Sequence, residues 1–255
     1  MKIKTYSISA ILFFLIFISC GKKVTPTVVP PIQGSVLHFR GYVTNAKDEL
    51  ASEIYFFNRY YSHEDTLNGI PVHVCYSNHD KIFYYTDKKG TVRQYRIVDL
   101  GEKILPYKYF PQKQTRISYW ETLLKRDHGE GTEWQVKIDT TFNAVDEKGK
   151  QVKIRYYYLA KAKYNGWNKA FIPETQEWEK VLDTYWYKIE HFIVNQTSGD
   201  TLFIKRGNAH HYFSPEKGLI KYITDYKKKE KDQDYIFRKG TWELIKSNLP
   251  GVTKR

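Results

Sequence analysis

The sequence predicts an all-β protein, an antiparallel meander of roughly a dozen strands. Three observations predict it. Hydrophobicity alternates with period two over long stretches, the alternating stretches are joined by tight glycine-containing turns, and the composition favours pleated structure. Aromatic residues make up 16% of the chain, with 22 tyrosines. Such rings, with Val, Ile and Thr, suit a half-buried strand surface.

The clearest strand is 151–163. Val152, Ile154, Tyr156, Tyr158, Ala160 and Ala162 occupy its even positions, while Lys153, Arg155, Lys161 and Lys163 occupy odd ones. One face is therefore buried and the other wet. Trp134, Val136, Ile138, Thr140 and Phe142 repeat the pattern one strand earlier, and the turn from Asp146 to Gly149 joins the two. Turns of the same kind run from Asp87 to Gly90, from Thr197 to Asp200 and from Ser214 to Gly218. In each, a glycine supplies the positive φ, and Pro215 is pre-set for its turn position. The stretch 72–76 reads as a strand carrying Cys75 as a small core residue. Few helices are expected: a short one within 46–61, with 117–125 readable as helix or strand. No fixed repeat points to a propeller or solenoid.

The first residues stand apart. Lys2 and Lys4 precede an apolar run from Ile8 to Ile18, which ends at Cys20, Gly21, Lys22 and Lys23. That run is too short to cross a bilayer, which takes about 20 residues, and fits a signal-peptide core. Phe17, Ile18, Ser19, Cys20 and Gly21 resemble the lipobox of bacterial lipoproteins, with Phe17 where Leu is usual. The resemblance implies a signal peptide over 1–19 and acylation of Cys20. It also implies an anchor in the cell envelope, and Gly21 in place of Asp points to the outer membrane of a Gram-negative bacterium. Residues 21–34 carry three prolines and read as an extended tether, leaving 35–255 as one β domain. Acylation of Cys20 leaves Cys75 without a disulfide partner.

The net charge is +13. In a cytosolic protein such an excess with interleaved aromatics suggests nucleic acid; export argues against that partner. Attraction to anionic lipid or other envelope polymers fits better. The densest basic stretch, 227–234, alternates in sign and reads as a solvated loop between two strands.

A second resemblance concerns the domain itself. "KILPYKYFP" (103–111) precedes "GEGTEWQVKI" (129–138), and "DTLFIKRGNAHHYFSPEKGLIKY" follows at 200–222. This order looks like envelope proteins built as a LolA-like curved antiparallel half-barrel, and it implies a concave apolar face that holds an amphiphile.

Chemistry is harder to find. His210 and His211 are adjacent, so a strand sends them to opposite faces, and no metal-ligand spacing occurs. No metal or cofactor is expected. No nucleophile motif surrounds Ser118, Ser198 or Ser214, and a dyad of Cys75 with a distant histidine has no distinguishing signature. Glu130, Glu133, Asp139 and Asp183 are candidate members of a carboxylate pair, which needs only the right spacing in the fold. Trp167, placed in a polar loop, and Trp178 and Trp186, flanking a long strand, are candidate ligand-binding rings, since indoles stack on sugars or line amphiphile grooves. The expected role is non-catalytic: binding an amphiphile or glycan, or assisting envelope assembly. A glycan or ester hydrolase and a structural envelope subunit are the alternatives.

Overall fold

A computed structural model describes residues 33–78, 80–100, 109–111, 116–230 and 234–250. The predicted signal peptide, Cys20, the tether through residue 32 and the start of the 103–111 stretch lie outside the described residues. Thirteen strands form the rest. In chain order, the first seven are β1 (Val36–Thr44), β2 (Tyr55–Leu67), β3 (Ile70–Ser77), β4 (Asp80–Thr86), β5 (Val92–Asp99), β6 (Tyr109–Pro111) and β7 (Arg116–Leu124). The remaining six are β8 (Glu133–Asp146), β9 (Gln151–Ile172), β10 (Glu177–Asn195), β11 (Thr201–Ser214), β12 (Gly218–Glu230) and β13 (Ile236–Asn248).

All thirteen belong to one antiparallel sheet, ordered β6-β8-β9-β10-β11-β12-β13-β1-β2-β3-β4-β5-β7. The expected meander and its four glycine turns are present, with positive φ at Gly90, Gly149, Gly199 and Gly218. The expected helices are not; no helix occurs among the described residues. In 46–61, Asn45 accepts backbone hydrogen bonds from Lys47 and Glu49, which closes a turn instead. From Tyr55 onward the aromatic run enters β2. Likewise 117–125 is almost wholly β7, where Glu121 pairs with Gln94 of β5.

The topology bends the sheet. Its ends are β7 and the β6–β8 edge, yet β7 and β8 are joined by the short 125–132 segment, which draws the two ends together. The ladder does not continue across this seam. A side chain bridges it: the Trp134 indole N–H donates to the Thr122 carbonyl oxygen at 2.8 Å. Tyr158 of β9 reaches across as well, its hydroxyl 3.5 Å from Glu121 of β7. Glycine helps where the wall is crowded. The Tyr55 ring lies where a Cβ on Gly41 would project, so glycine lets the ring lie flat on the strand and a larger residue would push it aside.

Two apolar cores fill the concave side. The larger gathers Leu37, Phe39, Tyr61, Leu124, Phe213 and Leu244 at the end where the chain enters. The smaller gathers Leu100, Ile154, Ile193 and Leu202 at the other end. Each fully buried Leu, Ile or Phe contributes about 1.5–3 kcal/mol of transfer free energy. Cys75 sits in the first core, fully buried, as its strand pattern predicted.

The β9–β10 hairpin outgrows its neighbours and reaches across to β13 as an arm. Glu174 in its turn accepts from the Lys217 ammonium at 2.6 Å, and from the Ser247 backbone N–H and hydroxyl. Ala170, Ile172 and Val181 of the arm join the larger core.

Candidate functional site

Between the two cores lies a polar and aromatic layer, assembled from strands far apart in sequence. On β2 the concave-facing positions are Tyr55, Phe57, Arg59 and Tyr61, because Phe57 and Arg59 lie opposite Phe39 and Leu37 of β1. Arg59 is therefore carried inward among rings. It is 9% exposed, with its guanidinium carbon 4.8 Å from the Trp242 ring centroid and 5.3 Å from that of Phe39. Its Nε and Nη1 have no hydrogen-bond partner, and no carboxylate pairs with it among the described residues. Cation–π contact offsets only part of the desolvation of such a charge.

Arg96 enters the same layer from β5. Its Nε donates to Glu121 at 2.7 Å, and Glu121 is buried. The layer thus holds two guanidiniums and one close carboxylate. His211, on the concave side of β11, registers the resulting field. Burial, and then the nearby Arg96, hold its imidazole down to about 3, so it is neutral. In that form it lies 3.2 Å from the Trp186 indole N–H, which donates to it. His191 is similarly held down to about 4 by burial and then by Lys205. The tyrosines respond in the same sense to burial: Tyr156 is pushed up to about 12, and Tyr158 well above the ordinary phenol range. These phenols stay protonated, and the Tyr158 hydroxyl faces Glu121 as a neutral donor.

A gap in the wall leads toward this layer. β4 and β5 pair only from Phe83 with Tyr95 to Thr86 with Val92, and beyond that the strands part. The gap holds a recess of about 390 Å³ lined by residues that include Ile82, Phe83, Gln94, Tyr95, Arg96 and Ile97. That volume falls in the range of small-molecule sites. Ile82, Phe83, Tyr95 and Ile97 give it an apolar flank, Arg96 and Gln94 stand at the inner edge, and the charged side chains of Asp80, Lys81, Asp99 and Arg116 line the rest. By contrast, the space between Tyr61, Tyr84, Phe213 and Leu219 is about 20 Å³, room for a single water. Among the described residues, the two cores and the layer between them fill much of the concave side, and the recess beside Arg96 opens onto that layer.

The three candidate tryptophans separate. Trp186 is buried in the layer, whereas Trp167 and Trp178 are exposed on the arm. Trp167 is not in a loop, as its polar neighbours suggested. It lies within β9, just after Gly166, whose positive φ accompanies a register shift opposite Asp183 and Thr184. Trp178 and Trp186 both lie inside β10.

The candidate carboxylates separate too. Asp139 makes a two-pronged pair with Arg155, at 2.8 and 2.7 Å. Glu133 accepts from the Tyr187 hydroxyl, and Glu130 lies against Gly166. Asp183 accepts from Asn165 and Asn168 and lies 3.0 Å from His210. Burial alone would raise the Asp183 carboxyl; these hydrogen bonds prevail and hold it below its usual range. His210 and His211 do face opposite sides, one toward Asp183 and the other toward Trp186. Among the described residues, no three His, Cys, Asp or Glu side chains cluster as a metal site would require.

Arg59, Arg96 and Glu121 were missed in the sequence, although a signal existed. Arg59 interrupts an aromatic strand face in register, between Phe57 and Tyr61, and Glu121 stands between Tyr119 and Leu123 in the same way; Arg96 follows the buried polar Gln94 and precedes Val98, a weaker signal. No family model, curated protein or solved structure matches the chain.

Proposed function

We propose that this chain is a lipid-anchored envelope protein that binds an anionic amphiphile without transforming it. The observation that carries the reading is Arg59, a buried guanidinium with unused donors and no carboxylate of its own, beside Arg96. A bound carboxylate or phosphate ester supplies the missing charge. The apolar flank of the recess, formed by Phe83, Tyr95 and Ile97, suits the chain or ring of the same ligand. Full-length protein titrated with a fluorescent acyl-chain carboxylate is expected to bind saturably. Preference over the same chain ending in an alcohol should be about tenfold or more, the value of one charge-assisted hydrogen bond. Equal affinity for the two probes, or binding to neither, overturns the reading.

The anchor rests on the lipobox resemblance at Cys20, with Gly21 favouring the outer membrane. Metabolic labelling with palmitate is expected to mark the wild-type chain and to leave Cys20→Ala unlabelled. Equal labelling of the two removes the anchor while leaving the ligand reading untouched.

A further inference from the structure

The arm formed by the distal β9–β10 hairpin has two unlike faces. Ala170, Ile172 and Val181 are buried against the larger core. The opposite face carries Trp167, Lys169, Phe171, Trp178 and Lys180, with Trp178 opposite Phe171 and Lys180 opposite Lys169. Trp178 is 69% exposed, the most exposed large hydrophobic side chain among the described residues. Its ring meets the edge of Phe171 at 6.1 Å, and the Lys180 ammonium sits 4.6 Å from the Trp167 ring centroid.

This face is costly to leave in water. It exposes aromatic area, and it sets two lysines directly opposite one another, which destabilises a strand pair. Neither lysine is paired with a carboxylate among the described residues; Glu177 and Glu179 project from the other face of the hairpin. A surface that accepts the indoles and brings negative charge to the lysines relieves both costs. The head-group region of an anionic bilayer does so, since Trp resides at that level, Lys reaches toward it, and anionic lipid attracts each cation.

The chain's entry point lies at the same end. The Gly34 backbone N–H donates to Tyr61, Leu37 pairs with Ser247, and Ser247 is bonded to Glu174 in the turn of the arm. Residues before 34 therefore join the fold beside the arm. We infer that the Trp167–Lys169–Phe171–Trp178–Lys180 face docks on an anionic bilayer surface and fixes the orientation of the domain on the membrane. This docking rests on the arm and the place of Gly34; it does not depend on what the interior binds.

The test uses full-length protein reconstituted into vesicles of phosphatidylcholine and phosphatidylglycerol, with and without brominated acyl chains. Bromine is expected to quench part of the tryptophan emission, and Trp167→Phe with Trp178→Phe to abolish most of that quenching. Both rings are exposed, so circular dichroism should be unchanged. Lys169→Gln with Lys180→Gln should shift the docked fraction about 30-fold toward undocked, at about a factor of five per lysine. Absence of quenching in the wild type, or quenching that survives the double tryptophan variant, overturns the inference. So does a change in tryptophan emission with soluble oligosaccharide, or a concentration-dependent dimer, when bromine has no effect; those results assign the face to a glycan or to a second copy. Repeating the assay with Cys20→Ser separates docking from acylation: quenching that is still lost in the double tryptophan variant then comes from this face, whatever else holds the chain on the vesicle.

Discussion

Arg59→Met is expected to make the ligand-free protein more stable and a worse binder. Methionine keeps the length and the contact with Phe39 and Trp242 while removing a charge that has no carboxylate partner. Replacing buried charge by apolar side chains of similar volume commonly stabilises by about 1–4 kcal/mol. Lost cation–π contact returns about 1 kcal/mol of that. A net gain of about 2 kcal/mol corresponds to a rise in Tm of about 4–8 °C for a domain of this size. Affinity for an anionic amphiphile should fall about 10- to 100-fold, the value of a hydrogen bond to a charged group. Opposite signs for stability and binding distinguish a residue held for a ligand from one held for the fold. If thermal denaturation shows Arg59→Met to be less stable and calorimetry shows its affinity unchanged, Arg59 is structural and the proposed site loses its centre.

That trade explains why the site was hard to read in advance. Alternation along 151–163 and 134–142 is a local pattern, and it holds because a pleated strand between core and water imposes period two on whatever residues it uses. The glycine turns were legible for the same reason: a positive φ is required at one position, and few residues meet it. Arg59 and Arg96 come from β2 and β5, His211 from β11 and Glu121 from β7, and only closure of the sheet brings them together. Nothing in the spacing of those four along the chain encodes their meeting. The seam is similar. The Trp134-to-Thr122 hydrogen bond depends on the two ends of a thirteen-stranded sheet arriving side by side.

The errors have local physical causes as well. Aromatic residues in 55–61 alternate between the concave side and solvent, but the preceding turn-forming residues blur the period and invite a helix. Trp167 looked like a loop residue because Asn165, Gly166 and Asn168 surround it. In the fold, Asn165 and Asn168 are there to hold the Asp183 carboxylate across the register shift. Polar composition marked an irregularity inside a strand rather than a break between strands.

Acidification should destabilise this protein from about pH 6.5 downward, before Asp183 and Glu174, which are held below their ordinary values, gain protons in the fold. His211 and His191 titrate near 3 and 4 in the fold, against 6.5 for a free histidine. The unfolded chain therefore binds protons, as pH falls below about 6.5, that the folded chain refuses, and stability drops with pH across that window. Near pH 4.5 the loss is on the order of 2 kcal/mol for each histidine, together a fall in Tm of about 10 °C. The groups facing them enforce the sign: Arg96 and Arg59 act on His211 and Lys205 acts on His191, while Asp183 only partly opposes them at His211. Asp183 and Glu174, held below their ordinary values, add further loss only at lower pH, where they would gain protons on unfolding. His211→Gln keeps an acceptor for the Trp186 indole, and His191→Phe suits the ring cluster of Tyr156, Tyr158 and Phe203. Each variant should remove about half of the slope of Tm against pH between 6.5 and 4.5, and the double variant nearly all of it. A wild-type Tm that is flat over this range, or a slope that the double variant leaves intact, would show that the polar layer is open to water. In that case neither histidine, nor Arg59 beside them, is held in the dry interior on which the binding reading depends.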